Sequence, residues 1–509
     1  MLGRMRLRIF ALLLAGGLTP ALIAPAARGQ AAPANAAAPR SSAARADYRR
    51  GMESADQKIQ AEVEAHQQVV ANLDYLTTMI GPRLTGSPQM QAASDWTLAK
   101  FRQYGLDAHL ETTTIAHAWQ RGRESAEILS PIRRRISIRA LGWSRATPGP
   151  VTAPVRLADL SHPSALEAHL QDFRGAIVLL GRPHPVNLAP AGNAYDAVIP
   201  PPRGVPTPRP AGWRLRFQVL QKLMGEHPAV IVLDSGKTDN LFTMGSFSRY
   251  QPSRVPLAFL PHEDYDLLYR LLHDFHQAVQ MRVQLDDRFS PGREPASITV
   301  AEIRGRKHPH QEVILGGHLD SWDLGQGALD NGTGAMAVLE AARALKALGW
   351  QPDRTLVFIL FTGEEQGGLG ADLFMKNHAA EIPNMDAALI DDTGTGKIFS
   401  IALEHLWETG PLMREIYRPL REVFDLRPLS TRYFGSSDHV EFLRAGVPAY
   451  FGVQLPAHYR EAHHSQTDTF DKLRPKQEIA NSALLAAWMW NVSQMPARLP
   501  HHPRNQKLY

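Results

Sequence analysis

Residues 316–334, GGHLDSWDLGQGALDNGTG, lie between the apolar run EVIL and the stretch AMAVLEAARAL. The first flank reads as a buried strand and the second as a helix, so the whole is a strand–loop–helix unit. The loop gathers His318, Asp320, Asp323 and Asp330 among glycines. That much acidity at the end of a buried strand is costly unless a positive charge meets it. The stretch therefore raises the question of a ligand at the same time as it suggests the fold.

Working outward, strands and helices keep alternating. EVILGG is followed by a helix over 333–347, RTLVFILF, a helix over 369–379, AALI, a helix after Pro411, VPAYFG, and a last helix from about Lys476 to Met495. This alternation predicts an α/β fold with a mostly parallel central sheet flanked by helices. Upstream, Ala55 to Ile80 has helical spacing, GPRLTGSPQ reads as a loop, and Gln89 to Tyr104 reads as an amphipathic helix ending at Gly105. LDAHLETTTI then reads as a strand. From 121 to 290 the pattern differs. Short strand-like pieces (SAEIL, ISIRALG, APVRLAD, GAIVLLG, AVIVLDS, PLAFLP) are separated by turns and by a Pro-rich loop from Pro183 to Pro210. The expected organisation is a discontinuous α/β domain, 55–120 and 291–498, interrupted by a β-rich insert, 121–290. A tail, 499–509, follows, in which His501 and His502 read as solvated.

The 509 residues exceed one compact core, which agrees with two domains. The absence of cysteine excludes disulfides, thiolate nucleophiles and Cys-ligated metals, so a metal site must use imidazole and carboxylate. The net charge of +5 is scattered rather than striped, which argues against a nucleic-acid partner. Residues 1–26 have the shape of a cleavable signal peptide: Arg4, Arg6 and Arg8, then an apolar run, then Ala24-Pro25-Ala26. With an Ala/Pro-rich linker over 27–54, the expectation is an exported protein, periplasmic or secreted, without a membrane segment after cleavage.

Ligands of open α/β sheets collect at the carboxyl ends of strands. EVILGG ends in His318 and Asp320, RTLVFILFT in Gly363-Glu364-Glu365, and AALI in Asp391-Asp392; the segment after VPAYFG carries His463, His464 and Asp468. Any one of these is weak, because a Glu pair after a strand is usually solvated. Together, without paired cations, they would repel one another. Two divalent cations, which use several carboxylates and neutral imidazoles, remove the conflict.

GGHLDSWDLGQGALDNGTGA, RTLVFILFTGEEQGGLGA and HHSQTDT resemble the zinc exopeptidases with a co-catalytic metal pair, in particular the carboxypeptidase Q group. The likeness extends to GPRLTGSP and the helix after it. APVRLADLS, DFRGAIVLLG and PAVIVLDS look like the protease-associated domain of these enzymes. The resemblance implies two zinc ions per chain and a peptide substrate, and it is compatible with a homodimer. It implies that His318 and Asp392 bind one metal, with Asp391 the rival of Asp392, and that Glu365 and His464 bind the other. The pattern His-x-x-x-Asp-Thr selects His464 over His463. Asp330 would bridge both metals, and Asp320 would accept the other N–H of the His318 ring. Glu364 would be the general base, taking a proton from a metal-activated water and passing it to the leaving amine. The same resemblance implies a cis peptide bond between Asp330 and Asn331. Asp323 matches none of these roles and reads as a turn residue or a group behind the ligands. FGSSDHVEF resembles a segment near such active sites, leaving Asp438 and His439 either supporting or structural.

Other readings are weaker. A glutaminyl cyclase uses a similar fold with one zinc, and receptor-like relatives keep the fold without catalysis. The complete ligand set speaks against both. TGTGKIFS lacks the spacing of a phosphate loop, and no G-x-S-x-G stretch suggests a serine hydrolase. Which peptide terminus is recognised is not legible; Arg432, Tyr433 and Arg460 are candidates by charge or ring alone.

Overall fold

A computed structural model describes residues 42–186 and 213–503. The expected signal peptide, the start of the linker and most of the Pro-rich loop lie outside the described residues.

Seven strands form the central sheet: β1 (Asp107–Ile115), β2 (Glu294–Ile303), β3 (His308–His318), β4 (Arg354–Phe361), β5 (Met385–Ile390), β6 (Ile398–Ala402) and β7 (Ala449–Gln454). Their order is β1-β2-β4-β3-β5-β7-β6. The four inner strands β4, β3, β5 and β7 are parallel, and antiparallel partners close both edges. Strands β4, β5 and β7 are buried along their whole length, as parallel strands covered on both faces must be. Helices Thr333–Ala347, Pro475–Gln494 and Pro88–Gln103 pack on one side; Leu369–Asn377 and His439–Ala445 pack on the other. The chain passes from β3 out to β4 and then returns across β3 to β5. This reversal opens a crevice at the carboxyl end of β3, where His318 sits.

Eight further strands between Glu124 and Leu285 form a separate sheet, and among the described residues no strand belongs to both. ISIRALG, expected as one strand, is split. Arg134–Ile136 lies at one edge of this sheet and Arg139–Ala140 at the other. Adjacent Cα atoms are only about 3.8 Å apart, so the sheet curls until its edges approach. A two-stranded ribbon, Trp119–Gln120 with Arg288–Phe289, ties together the chain's entry and exit.

Two expectations need correction at the ends. The linker does not run to residue 54: a helix spans Ser42–His66, because Tyr48, Met52, Ala55, Ile59 and Val63 repeat at helical spacing and pack on the core. Residues 499–502 dock on the core, although His501 stays exposed as expected. Leu499 is buried in the core, His501 Nε2 lies 2.8 Å from the Met385 carbonyl, and His502 N–H donates to Gly446 O at 3.2 Å.

The N-terminal helix also buries Asp56, which accepts a hydrogen bond from Asn491 Nδ2 at 3.1 Å. Burial pushes this carboxyl up to about 8, with Asn491 opposing and Glu53 adding. An unfolded Asp ionises near pH 4, so folding takes up a proton between there and pH 8 and stability falls as pH rises across that window. Asp56→Asn removes this slope. Its advantage over wild type should grow by on the order of 3 kcal/mol between pH 5 and pH 8 in urea unfolding. An advantage independent of pH would show that no proton is taken up here.

Candidate metal centre

At the end of β3, His318 is buried, and its Nδ1 lies 2.9 Å from the backbone carbonyl of Asp320. A carbonyl cannot donate, so Nδ1 carries a proton and Nε2 is the nitrogen turned toward the crevice. The expected acceptor, the Asp320 carboxylate, stands farther off, at 3.6 Å. Its oxygens receive Thr85 Oγ1 and the Glu364 N–H, each at 3.3 Å. Asp320 thus connects the His318 loop to the Glu364 backbone.

His318 Nε2 faces Asp392 Oδ1 at 3.2 Å and Asp330 Oδ1 at 3.5 Å. Asp391 turns the other way: its Oδ1 accepts from Gln454 Nε2 at 3.1 Å and its carbonyl from Asn331 Nδ2 at 2.7 Å. Across the crevice, His464 Nε2 lies 2.9 Å from Glu365 Oε2 and 3.4 Å from Asp330 Oδ2. His463 is more distant from Asp330, at 3.9 Å, and its ring stacks on that of His464 with centroids 3.7 Å apart. Asp330 therefore offers one oxygen to the His318 side and the other to the His464 side.

The donor set fits divalent cations. Asp330 Oδ2 and Glu365 Oε1 are buried without a hydrogen-bond partner. Donor atoms of His318, Glu364 and Asp392 lie within 4.8 Å of one another, and so do those of Asp330, His463 and His464. Burial pushes Glu364 up to about 8; His318 opposes this, and Asp392, Asp320 and Asp330 add to it. Burial also drives His464 well below the usual imidazole range, with neighbouring His463 adding to the effect. Asp330 behaves oppositely. Despite burial, its hydrogen bond with His318 and the charges of the neighbouring imidazoles hold it below the usual carboxylate range.

The loop that aims Asp330 is held from beneath. Asp468 accepts the N–H groups of Leu329 (2.6 Å) and Asp330 (3.2 Å). Asn331 Oδ1 receives the Gly334 N–H at 3.0 Å where the next helix starts, and the Asp330–Asn331 peptide bond is cis. A Cβ on Gly334 would sit 2.2 Å from the Asp391 carbonyl, so this helix start admits glycine alone. Arg83, fully buried, donates to the carbonyls of Leu319 (2.7 Å), Gly81 (3.0 Å), Gln326 (2.9 Å) and Gly327 (2.7 Å).

The remaining sequence candidates fall behind or beside the centre. Asp323 is a bidentate partner of Arg121, at 2.7 and 3.0 Å, and fastens the loop to the start of the β-rich segment. Asp438 is buried with both oxygens unpartnered, and His439 Nε2 lies 3.3 Å from Glu404 Oε2. Tyr433 stacks on His405 with centroids 4.9 Å apart.

Sequence reasoning placed Asp468 among the polar residues at this edge but gave it no role of its own, and it did not single out Arg83, Tyr459 or Lys237. Tyr459 OH lies 3.1 Å from Asp330 Oδ1, and the residue sits beside Phe434, Val453 and Leu455. GPRLTGSP could have pointed to Arg83, since an Arg between Pro and Leu in a tight loop invites the question of what it neutralises. Nothing near Lys237 in the chain signals its contact with the His463 segment.

The profile of peptidase family M28 matches residues 299–489. Carboxypeptidase Q of Homo sapiens is 30% identical over 452 residues, spanning 86% of this chain and 88% of that protein. Carboxypeptidase Q of Mus musculus is 29% identical over 445 residues, spanning 84% and 86%. A solved peptidase M28 precursor from Shewanella amazonensis SB2B superposes with a TM-score of 0.73 at 25% identity, covering 89% of this chain and all of that one. The fold is shared with a zinc aminopeptidase from Bacillus subtilis, TM-score 0.62 at 19% identity, over 85% of this chain and 96% of that one.

Proposed function

Because the chain belongs to peptidase family M28, we propose that its crevice is the active site of a two-zinc exopeptidase acting on short peptides. The observation that carries this reading is Asp330, whose two carboxylate oxygens face His318 and His464 on opposite sides, one of them buried and unpartnered. In this reading His318 and Asp392 hold one zinc, Glu365 and His464 the other, and Asp330 both. Zinc bound there lowers the pKa of water and polarises a carbonyl. Glu364, buried beside His318 and Asp392, takes the proton of the attacking water and returns it to the leaving amine.

The segment 121–290 is read as a protease-associated domain, on the strength of its separate sheet and its sequence pattern. The leader over 1–26 supports export, periplasmic or secreted, and no helix among the described residues is long and apolar enough to cross a membrane.

Metal analysis of dialysed protein should give about two zinc per chain, and chelation should abolish dipeptide hydrolysis until zinc is restored. Full activity with one equivalent would overturn the bridging role of Asp330. A dipeptide panel with blocked amino or blocked carboxyl ends should show which terminus must be free.

A further inference from the structure

His464 comes from a segment under conformational constraint. Three non-glycine residues there, Ala457, His458 and His464 itself, have left-handed backbone angles, with φ of 41°, 65° and 58°. Such residues persist where the surroundings hold them. The preceding helix, Tyr459–Ala462, has one turn; local groups meet the carbonyls of Tyr459, Glu461 and Ala462, which leaves those of Arg460 and His463 for a partner from outside the segment.

The β-rich segment supplies those partners. Lys237 Nζ donates to the carbonyls of Arg460 and Glu461, each at 3.2 Å, and to that of His463. Gln466, two residues beyond His464, accepts the Phe242 N–H at 2.9 Å and donates to the Asn240 carbonyl at 3.0 Å. The turn that carries Lys237 is itself anchored. Asp234 Oδ1 accepts the Gly236 N–H at 2.9 Å, and its Oδ2 accepts the His184 N–H at 2.7 Å and sits 3.0 Å from His262 Nδ1. His464 is thus clasped on both sides by a turn more than two hundred positions away in sequence. His318 and Asp392, by contrast, sit at the ends of β3 and β5, where the sheet ladder fixes the backbone.

We propose that Lys237 is a positioning residue for His464: through the carbonyls of Arg460, Glu461 and His463 it holds that imidazole where the second zinc is bound. The segment 121–290 then completes one half of the metal centre without contributing a ligand. The inference rests on the two-zinc reading of the site and adds to it a difference between the halves. One half stands on the ends of β3 and β5, and the other depends on docking of the β-rich segment.

The test is zinc binding to metal-free full-length protein, in competition with a chromophoric chelator, for wild type, Lys237→Met and Lys237→Arg. Lys237→Met should weaken one of the two zinc sites at least tenfold and leave the other unchanged. Its kcat should fall at least tenfold with little change in KM, and the metal-free protein should melt as wild type does. Lys237→Arg, which keeps a cation and its donors, should recover most of the loss. Equal weakening of both zincs together with a lowered metal-free melting temperature would mean a general structural role and overturn the proposal. So would unchanged affinity at both sites. Lys237→Gln, which keeps an amide donor, takes the place of Lys237→Met if the latter does not accumulate folded, and the same selective loss is required of it. Wild type holding a single zinc would overturn the two-zinc reading and this inference together. Two zincs in wild type with unaltered variants would overturn this inference alone.

Discussion

Glu364→Gln should keep its full zinc content and lose turnover by about 10²–10⁴-fold, whereas Glu365→Gln should lose one equivalent of zinc as well as activity. The two residues are neighbours at the end of β4, yet they face different partners. Glu365 Oε2 lies 2.9 Å from His464 Nε2 and its other oxygen is buried without a partner, as a carboxylate does when a cation is to complete its surroundings. Glu364 stands in the His318–Asp392 group, and its backbone N–H is held by Asp320 Oδ1 at 3.3 Å. An amide in place of Glu364 preserves shape and hydrogen bonding but cannot accept the water's proton, so binding survives and chemistry stops. An amide in place of Glu365 removes a charged ligand from a centre that needs it. Glu364 is also near enough to His318 and Asp392 to compete as a ligand, and metal content decides between the two roles. If both variants keep zinc and only Glu365→Gln is inactive, the assignments are reversed. If Glu364→Gln loses zinc, Glu364 is a ligand and the base lies elsewhere.

Arg83→Met should destabilise the protein by about 3–5 kcal/mol, the range for removing one partner from a buried charge network. Four carbonyls of the metal loop and its neighbour lose a donor at once; Gly327 keeps the Gly332 N–H, whereas that of Leu319 is left buried without one. Asp468, Asp320 and Asp330 lose a countercharge as well. Burial brings the Arg83 guanidinium down to about 10, still far above neutrality, with those three carboxylates holding it up. Asp468 in turn is pushed by burial, and by the charge of Asp330, up to about 7. Arg83→Lys should rescue little, because an ammonium is a single point of donation and cannot span four carbonyls reached by a planar fork. The space around Gly327 is equally unforgiving: its φ is +61°, and a Cβ there would lie 2.3 Å from Ser321 Cβ and 2.8 Å from Arg83 Nη2. Urea unfolding of the metal-free variants checks this, and a loss below 1 kcal/mol for Arg83→Met would show that the loop is held by other means.

The parts of this protein legible in its sequence are those governed by local periodicity. Strands β4, β5, β7 and the second half of β3 are near-continuous apolar runs, and the helix after the metal loop was expected over 333–347 and spans Thr333–Ala347. Because each strand's polar residues follow directly on its apolar run, the topology that brings the strand ends together also brings His318, Glu364, Glu365 and Asp392 into one crevice. Asp392 facing His318 and Asp391 facing Gln454 is a matter of alternation along an extended chain, which sets neighbours on opposite sides.

What the tertiary structure alone decided are contacts between segments that no local pattern connects. The helix from Ser42 gains its stability by packing on the core, so a composition that resembles a linker still folds. ISIRALG divides between two sheet edges because curvature, a property of the whole sheet, places them together. Arg83 beneath the metal loop, Asp468 behind Asp330, and Lys237 against the His463 carbonyl are single polar side chains meeting backbone groups far away in sequence. A backbone carbonyl has no residue identity, so a side chain that serves it leaves no partner signature to read. The ligands are written in the sequence because chemistry restricts them to His, Asp and Glu; the groups that aim them come to light only when the chain is folded.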